Sequence, residues 1–166
     1  MSDTGGGAAP SPPAGDGPPG LGVRAQYVKD FSFENPNAPM SLVQSEGQPR
    51  IEVAVNVEAR ALSGPLFEVS LRIHGEAKHA DKVAFVVELV YAGVFDLARI
   101  PEAQRHPVCL IEAPRLLFPF ARRIVAEATR DGGFPPMYLD PIDFMALYRD
   151  HLAKQGAGAA APAQQA

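Results

Sequence analysis

The sequence contains no tryptophan and only one cysteine, Cys109, among its 166 residues. One cysteine excludes an intrachain disulfide framework, which fits a reducing compartment. A secretory signal needs a basic start followed by an apolar run. The first Lys or Arg here is Arg24, and no apolar run precedes it. We therefore expect a cytoplasmic protein.

Long hydrophobic runs are also missing. The most apolar stretch, residues 83–95, is short and carries Glu88, whereas a membrane-spanning helix needs about 20 apolar residues. The formal net charge is −4 at pH 7, so the chain lacks the excess of basic residues with which general nucleic-acid binders contact phosphates. These absences predict no membrane insertion and no nucleic-acid partner.

Motifs of catalysis and metal binding are absent as well. Residues 15–20 match G-x-G-x-x-G, but no strand precedes them and two prolines occupy the place where a helix should begin. Cys109 has no adjacent basic residue to activate its thiol. The histidines lack companion ligands at metal-site spacing; they are His74, His79, His106 and His151. We expect no enzyme activity, no metal and no other cofactor.

Glycine and proline dominate the N-terminus, where they make up eleven of the first twenty residues. Such a segment buries too little apolar surface to offset the entropy of ordering it. The C-terminal run GAGAAAPAQQA has a similar composition. We interpret residues 1–22 and 155–166 as disordered tails, and residues 23–154 as one folded domain.

Three segments alternate apolar and polar residues with the period of two that is typical of β-strands. Their apolar positions are Ile51, Val53, Val55 and Val57; Phe67, Val69, Leu71 and Ile73; and Val83, Phe85, Val87, Leu89 and Tyr91. A fourth extended segment covers residues 25–34. Short turns at residues 62–65 and 77–82 favour antiparallel pairing. The alternation places Val86 and Glu88 on the outward face of the third segment.

The period then changes to that of a helix. An apolar stripe covers residues 116–128, and Gly132-Gly133 indicates the end of the helix. Pro114 fits the first turn, whereas Pro119 should kink or restart the helix.

A second helix is indicated by Asp140-Pro141, which reads as an N-cap followed by proline at the first helical position. Its apolar stripe consists of Phe144, Leu147, Tyr148 and Leu152. Strands followed by helices predict an α+β fold, with a four-stranded antiparallel sheet and two C-terminal helices packed on one face.

Three blocks of sequence resemble the SecB family of bacterial export chaperones. They are YVKDFSFENPNAP at residues 27–39, LFPFAR at residues 117–122 and GFPPMYLDPIDFMALY at residues 133–148. The blocks occur in the order that the family has, and the resemblance extends over about residues 27–152. Three blocks in order are more specific than any single motif.

The resemblance implies an ATP-independent cytosolic chaperone that forms a homotetramer, a dimer of dimers. Such a protein binds unfolded secretory precursors, keeps them competent for translocation and delivers them to the motor ATPase SecA. The resemblance also implies that SecA docks on acidic residues of the sheet, which are here Asp30, Glu34 and Glu88. Together with the outward Val86 they would form an apolar and acidic patch for a basic partner. The alternative is that these carboxylates are only solvated.

Further residues are candidates for client binding and assembly. Apolar side chains near the loops, including flexible methionines, suit promiscuous recognition: Met40, Leu42, Phe134 and Met137. The inward residues of the third strand would contribute to subunit contacts, to the core, or to both: Phe85, Val87, Leu89 and Tyr91. For each groove candidate, simple packing is the alternative.

One departure from the family concerns the groove. The family commonly has tryptophan before Gln-Pro at the entry to the first long strand, and here that position is Gly47. The groove must therefore be lined differently. The alternative function is a SecB-like chaperone or adaptor dedicated to a single client such as an antitoxin.

Overall fold

The computed structural model describes residues 20–44 and 47–159. The elements in chain order are β1 (Gly22–Glu34), α1 (Met40–Val43), β2 (Arg50–Ala61), β3 (Leu66–His79), β4 (Lys82–Asp96), α2 (Glu102–Asp131) and α3 (Phe144–Ala159). Most of the predicted tails, 1–22 and 155–166, lies outside the described residues. At their inner boundaries, β1 already begins at Gly22 and α3 continues to Ala159.

The four strands form one antiparallel sheet in the order β1-β4-β3-β2, and the predicted α+β fold is confirmed. β3 and β4 are longer than their predicted segments, because β3 continues to His79 and only residues 80 and 81 separate it from β4. The predicted turn at residues 77–82 was therefore too wide. Ala80 makes the tight turn with a φ of 50°.

α2 covers one face of the sheet, which we call the inner face; the opposite face is the outer face. The helix is 30 residues long and includes Pro107, Pro114 and Pro119. It starts a dozen residues before Pro114, so the placement of Pro114 in the first turn was wrong, and it continues through Pro119 without restarting. Burial explains the difference: the apolar stripe extends back to Cys109 and Ala113, which are 1% and 0% exposed, and packing stabilises a helix that local propensity would interrupt.

The end of α2 is a Schellman motif. Phe134 N donates to Thr129 O at 3.1 Å and Gly133 N donates to Arg130 O at 3.0 Å. Gly133 has a φ of +92°, which glycine adopts without steric cost. The predicted helix end at Gly132-Gly133 is confirmed.

α3 starts later than Asp140-Pro141 indicated. Its first residue is Phe144, and Asp143 Oδ1 accepts a hydrogen bond from Ala146 N at 3.0 Å. Asp143 is therefore the N-cap, because its carboxylate satisfies a backbone donor of the first turn. α3 packs against α2, with Phe144 edge-on to Phe118 at 6.1 Å between ring centroids.

The core lies between α2 and the inner face. Its largest fully buried side chains include Leu71, Ile73, Leu89, Phe95, Leu117 and Phe144. The predicted inward residues of β4 belong to this core, with exposures of 2, 0, 1 and 8% for Phe85, Val87, Leu89 and Tyr91. Packing within the chain therefore accounts for nearly all of their surface.

Candidate functional site

The four residues predicted for docking lie on the outer face, on the neighbouring strands β1 and β4. Glu34 pairs in register with Val86, and Asp30 pairs with Val90. Glu88 lies between these two rows, opposite a small serine of β1. Strand pairing thus brings the two acids of β1 next to Val86 and Glu88 of β4, which lie more than fifty residues further along the chain.

The three acids differ in their electrostatic partners. Within residues 20–44 and 47–159, neither Asp30 nor Glu34 takes part in an ion pair, and both are exposed. Glu88 lies 3.0 Å from His74 Nδ1. A carboxylate only accepts hydrogen bonds, so the ring nitrogen is the donor in this contact. Val86 is half-buried beside Glu34 and Glu88, which places an apolar group at one end of the acidic patch.

A second polar cluster surrounds Glu68 on the same face. Glu68 is 8% exposed and accepts hydrogen bonds from Tyr27 Oη at 3.0 Å, from Arg60 Nη2 at 3.1 Å and from Lys29. The lysine hydrogen bond is the largest cause that lowers the pKa of Glu68 to about 2, and it prevails over burial, which acts in the opposite direction. Burial, together with Glu68, raises the pKa of Tyr27.

Sequence analysis missed the Glu68 cluster, although it placed Glu68 on the polar side of its strand. The donors come from β1 and β2, while Glu68 belongs to β3. Tyr27 reaches across β4 above Ala92, the residue with which it pairs in register. The cluster becomes visible only when the register of all four strands is known, because the alternation within one strand does not show which residues of other strands lie beside it.

An apolar groove opens at the end of the sheet near the β3–β4 turn. The groove has a volume of about 360 Å³. The groove is lined by Ser41, Leu42, Gly47, Gln48, Pro49, Ile51, His79, Phe85 and residues 133–137. Three of the four predicted groove residues, Leu42, Phe134 and Met137, line it. Met40 instead lines an adjoining cavity of about 440 Å³, which shares Ser41 and His79 with the groove.

Aromatic rings form one wall of this groove. Phe85 lies 4.9 Å from Phe134 and 5.8 Å from Phe33 between ring centroids. Alternation marked Phe85 as a core residue, and it also reaches the groove. Ile51 was likewise assigned to a strand face, yet it is 46% exposed and lines the groove. Their positions on strand ends beside a loop are the only sequence signal that separates them from core residues.

The rim of the groove is open at Gly47. This residue has a φ of +82°, and a Cβ placed there would meet no atom within 4 Å. On the opposite side, Met137 N donates to Thr129 Oγ1 at 2.8 Å, which ties the loop to α2. The groove therefore has one wall fixed by α2 and one open rim.

The remaining chemistry of the described chain is sparse. Burial raises the pKa of the Cys109 thiol to about 11, so the reactive thiolate is disfavoured. In the part of the chain that the structure describes, no three His, Cys, Asp or Glu side chains converge to hold a metal ion. No helix within that part has the length and apolar character to span a membrane.

Comparisons with known proteins agree with one another. A family model described as preprotein translocase subunit SecB matches residues 15–155. A protein-export protein SecB of Afipia carboxidovorans is 58% identical over 138 residues, which cover 83% of this chain and 86% of the relative. A protein-export protein SecB of Rhodopseudomonas palustris strain BisA53 is 53% identical over 156 residues, 94% of each chain.

A solved structure shares the fold. It is a SecB-like chaperone of Mycobacterium tuberculosis in complex with a ChAD peptide from the antitoxin HigA1. The TM-score is 0.61 at 16% sequence identity, and the match covers 74% of this chain and 90% of that one. At this identity the likeness concerns the fold.

Proposed function

Because the chain belongs to the SecB family of preprotein translocase subunits and is a protein-export chaperone, we propose that it acts in the cytoplasm without ATP. It holds unfolded secretory precursors and delivers them to the motor ATPase SecA. The observation that carries the proposal is the pairing of an open apolar groove with a separate acidic face on one sheet. The first suits an unfolded client and the second suits a basic partner. We propose no catalytic step and no cofactor.

Client binding is supported by the groove and by the edge strand beside it. Leu42 and Ile51 expose 41% and 46% of their surface around the groove, and Val53 continues the exposed apolar surface along β2 with 46%. Among the residues that the structure describes, β2 pairs only with β3, so its other edge offers backbone donors and acceptors to an extended peptide. Unfolded chains present both apolar side chains and free backbone groups, whereas folded proteins hide them.

SecA docking is supported by the free acids of the outer face. Asp30 and Glu34 are exposed acids on the edge strand, and Val86 adds apolar area beside Glu34 and Glu88. Complementary charge accelerates encounter and fixes the orientation of a basic partner. Docking and client binding would then use different surfaces.

Assembly into a homotetramer, a dimer of dimers, is supported by apolar surface that the single chain leaves open. On the inner face of the edge strand β1, Val23, Val28 and Phe31 are 45, 48 and 43% exposed. On α2, Leu116 and Phe120 are 41 and 45% exposed. The buried β4 residues would support this surface from beneath, since Tyr91 stacks on Phe120 at 6.1 Å.

The test of holding is whether the purified protein, without nucleotide, prevents aggregation of a denatured secretory precursor and ignores its folded form. We expect suppression near one oligomer per client, and we expect Leu42→Asp to require several-fold more protein because it places a charge in the apolar groove. No suppression across several unrelated precursors would contradict the general chaperone.

The test of docking is Glu88→Lys, with Glu102→Lys at the exposed start of α2 as a control for charge. We expect roughly tenfold weaker SecA binding for Glu88→Lys alone, because a like charge then meets the basic partner, and unchanged suppression of aggregation. Loss of both activities together would show that the two surfaces are not separate.

A chaperone dedicated to one client is the second candidate. It is favoured by the similar fold of the M. tuberculosis chaperone, which was solved with an antitoxin peptide. Suppression of aggregation for a single antitoxin, combined with failure on unrelated precursors, would support this function over the general one.

A further inference from the structure

His74 lies beside the proposed docking patch, on the outer face of β3. It pairs in register with Glu88 of β4 on one side and with Ala54 of β2 on the other. Because Ala54 is small, the imidazole has a polar partner only toward β4 and along its own strand. The ring nitrogens lie 3.0 Å from Glu88 Oε1 and 3.9 Å from Glu76 Oε2.

The charged groups around this ring are unevenly distributed. On β3, Arg72 is 4.0 Å from Glu58 of β2, and Glu76 also pairs with Lys78. On β2, the charged groups nearest in register are Glu52, which pairs with Arg50 at 3.1 Å, and Glu58. On β4, Glu88 is the charged residue that faces His74, and its one ionic partner among the described residues is His74.

We propose that His74 is a positioning residue for Glu88 and that its protonation sets the charge which the docking patch presents to a basic partner. This inference rests on the proposed docking function. With a neutral ring, Nδ1–H holds the Glu88 carboxylate by a hydrogen bond and leaves its full negative charge available. With a protonated ring, a cation lies between Glu76 and Glu88 and competes with the partner's basic groups.

A dependence on pH follows from the two states of the ring. Histidine is the side chain that changes its charge near neutral pH, whereas carboxylates keep theirs there. Affinity for SecA should therefore increase between pH 5.5 and 7.5. Exposed ion pairs contribute little, so we expect a change of roughly threefold.

The experiment measures binding of purified SecA at pH 5.5, 6.5 and 7.5 and constant ionic strength. The wild type is compared with His74→Asn, which keeps a hydrogen-bond donor near the Nδ1 position without a titratable charge. His106→Asn, on the exposed start of α2, is the matched control. The pH profile of each variant is compared with that of the wild type, because titratable groups of SecA contribute equally to both profiles.

We expect His74→Asn to bind within about twofold of the wild type at pH 7.5 and to lose the roughly threefold change with pH. His106→Asn should keep the wild-type profile. His74→Phe, which has no donor, should bind about two- to fivefold more weakly at pH 7.5 because Glu88 is no longer held. Light scattering and circular dichroism check that each variant is folded and assembled.

The outcomes separate this inference from the proposed function. If SecA binds the wild type and Glu88→Gln weakens binding, but His74→Asn keeps the wild-type pH profile, the role of His74 is wrong and docking stands. If SecA binds the wild type at no pH, docking on this face fails and the role of His74 fails with it. Suppression of aggregation, measured on the same samples, tests holding independently.

Discussion

Glu68 links three strands through one carboxylate. Its donors Tyr27 and Lys29 belong to β1 and Arg60 belongs to β2. A buried charge without partners is strongly destabilising, whereas one with several donors is favoured in its ionised form. The lowered pKa of Glu68, about 2, has the same meaning: the ionised carboxylate is more stable in the folded chain than in the unfolded chain.

We expect Glu68→Gln to lower the free energy of unfolding by on the order of 2 kcal/mol at pH 7. The folded pKa lies below the ordinary value of 4.5, so ionised Glu68 stabilises the fold above about pH 4.5 and loses this effect as the pH falls toward 2. The difference between wild type and variant should therefore shrink through that window.

Urea unfolding at pH 7 and at pH 3 measures this difference. Glu58→Gln is the control, because the Glu58 carboxylate is exposed and lies 4.0 Å from Arg72, and it should change stability by less than about 0.5 kcal/mol. An effect of Glu68→Gln that stays the same at both pH values would rule out ionisation as its cause.

At the scale of elements, the junction between α2 and the following loop positions one wall of the groove. Thr129 is 0% exposed, and its Oγ1 bonds to the carbonyls of Val125 and Ala126 and accepts from Met137 N. One hydroxyl therefore closes the helix end and fixes the loop that carries Met137. The stability of the helix end and the shape of the groove depend on the same atom.

Thr129→Val should lower the free energy of unfolding by about 1–3 kcal/mol, because it has nearly the same shape but leaves the Met137 N–H buried without a partner. It should also weaken client binding, since the wall of the groove is no longer fixed. Thr129→Ser, which keeps the hydroxyl, is the matched control. Chemical unfolding and precursor binding test both effects, and wild-type stability and binding for Thr129→Val would contradict the role of the hydroxyl.

Elements with a strong period were predictable, and so was the end of α2, but the starts of α2 and α3 were not. Alternation identified the inward residues of β4 because burial on one face imposes it. The start of α2 was missed because Pro107 and Pro114 weigh against a helix locally, while burial of Cys109 decides in its favour. The start of α3 was missed for a related reason: Asp140 resembles a cap, and Asp143 makes the bond.

The candidate site was likewise predictable from the sequence only in part. Leu42 and Met137 were predicted because apolar residues near loops favour a groove, and the structure places both in its lining. The contact between His74 and Glu88 needed the register of β3 against β4, which local sequence does not determine. Roles in docking and client binding remain proposals for all of these residues.

For the whole molecule, one group of exposed apolar side chains lies on β1 and α2, apart from those around the groove. Leu116 and Phe120 are exposed on α2, and Val28 and Phe31 are exposed on the edge strand β1. Contiguous exposed apolar patches of this kind are often sites of protein–protein interaction. The proposed tetramer would cover them and leave the outer face free.

Leu116→Asp should raise the dissociation constant of the assembly at least about tenfold, because a carboxylate would be buried there without a partner. Ala103→Asp, which adds the same charge at an exposed position of α2, should leave assembly unchanged. Light scattering measures the mass of each variant. If Leu116→Asp stays fully assembled at a concentration where the wild type begins to dissociate, the interface does not include Leu116.

The strand order has a consequence for how a newly made chain becomes active. β2, β3 and β4 are joined by short turns, but β1 pairs with β4 across roughly fifty to seventy residues of chain. Closing so long a loop costs more entropy than closing a hairpin, so β1 should join the sheet last during folding. Pulsed hydrogen exchange should then find the β1 amides protected after those of β3. Because β1 carries Asp30, Glu34 and the Phe33 ring of the groove wall, a chain caught before this step would have an incomplete groove and would neither dock nor assemble.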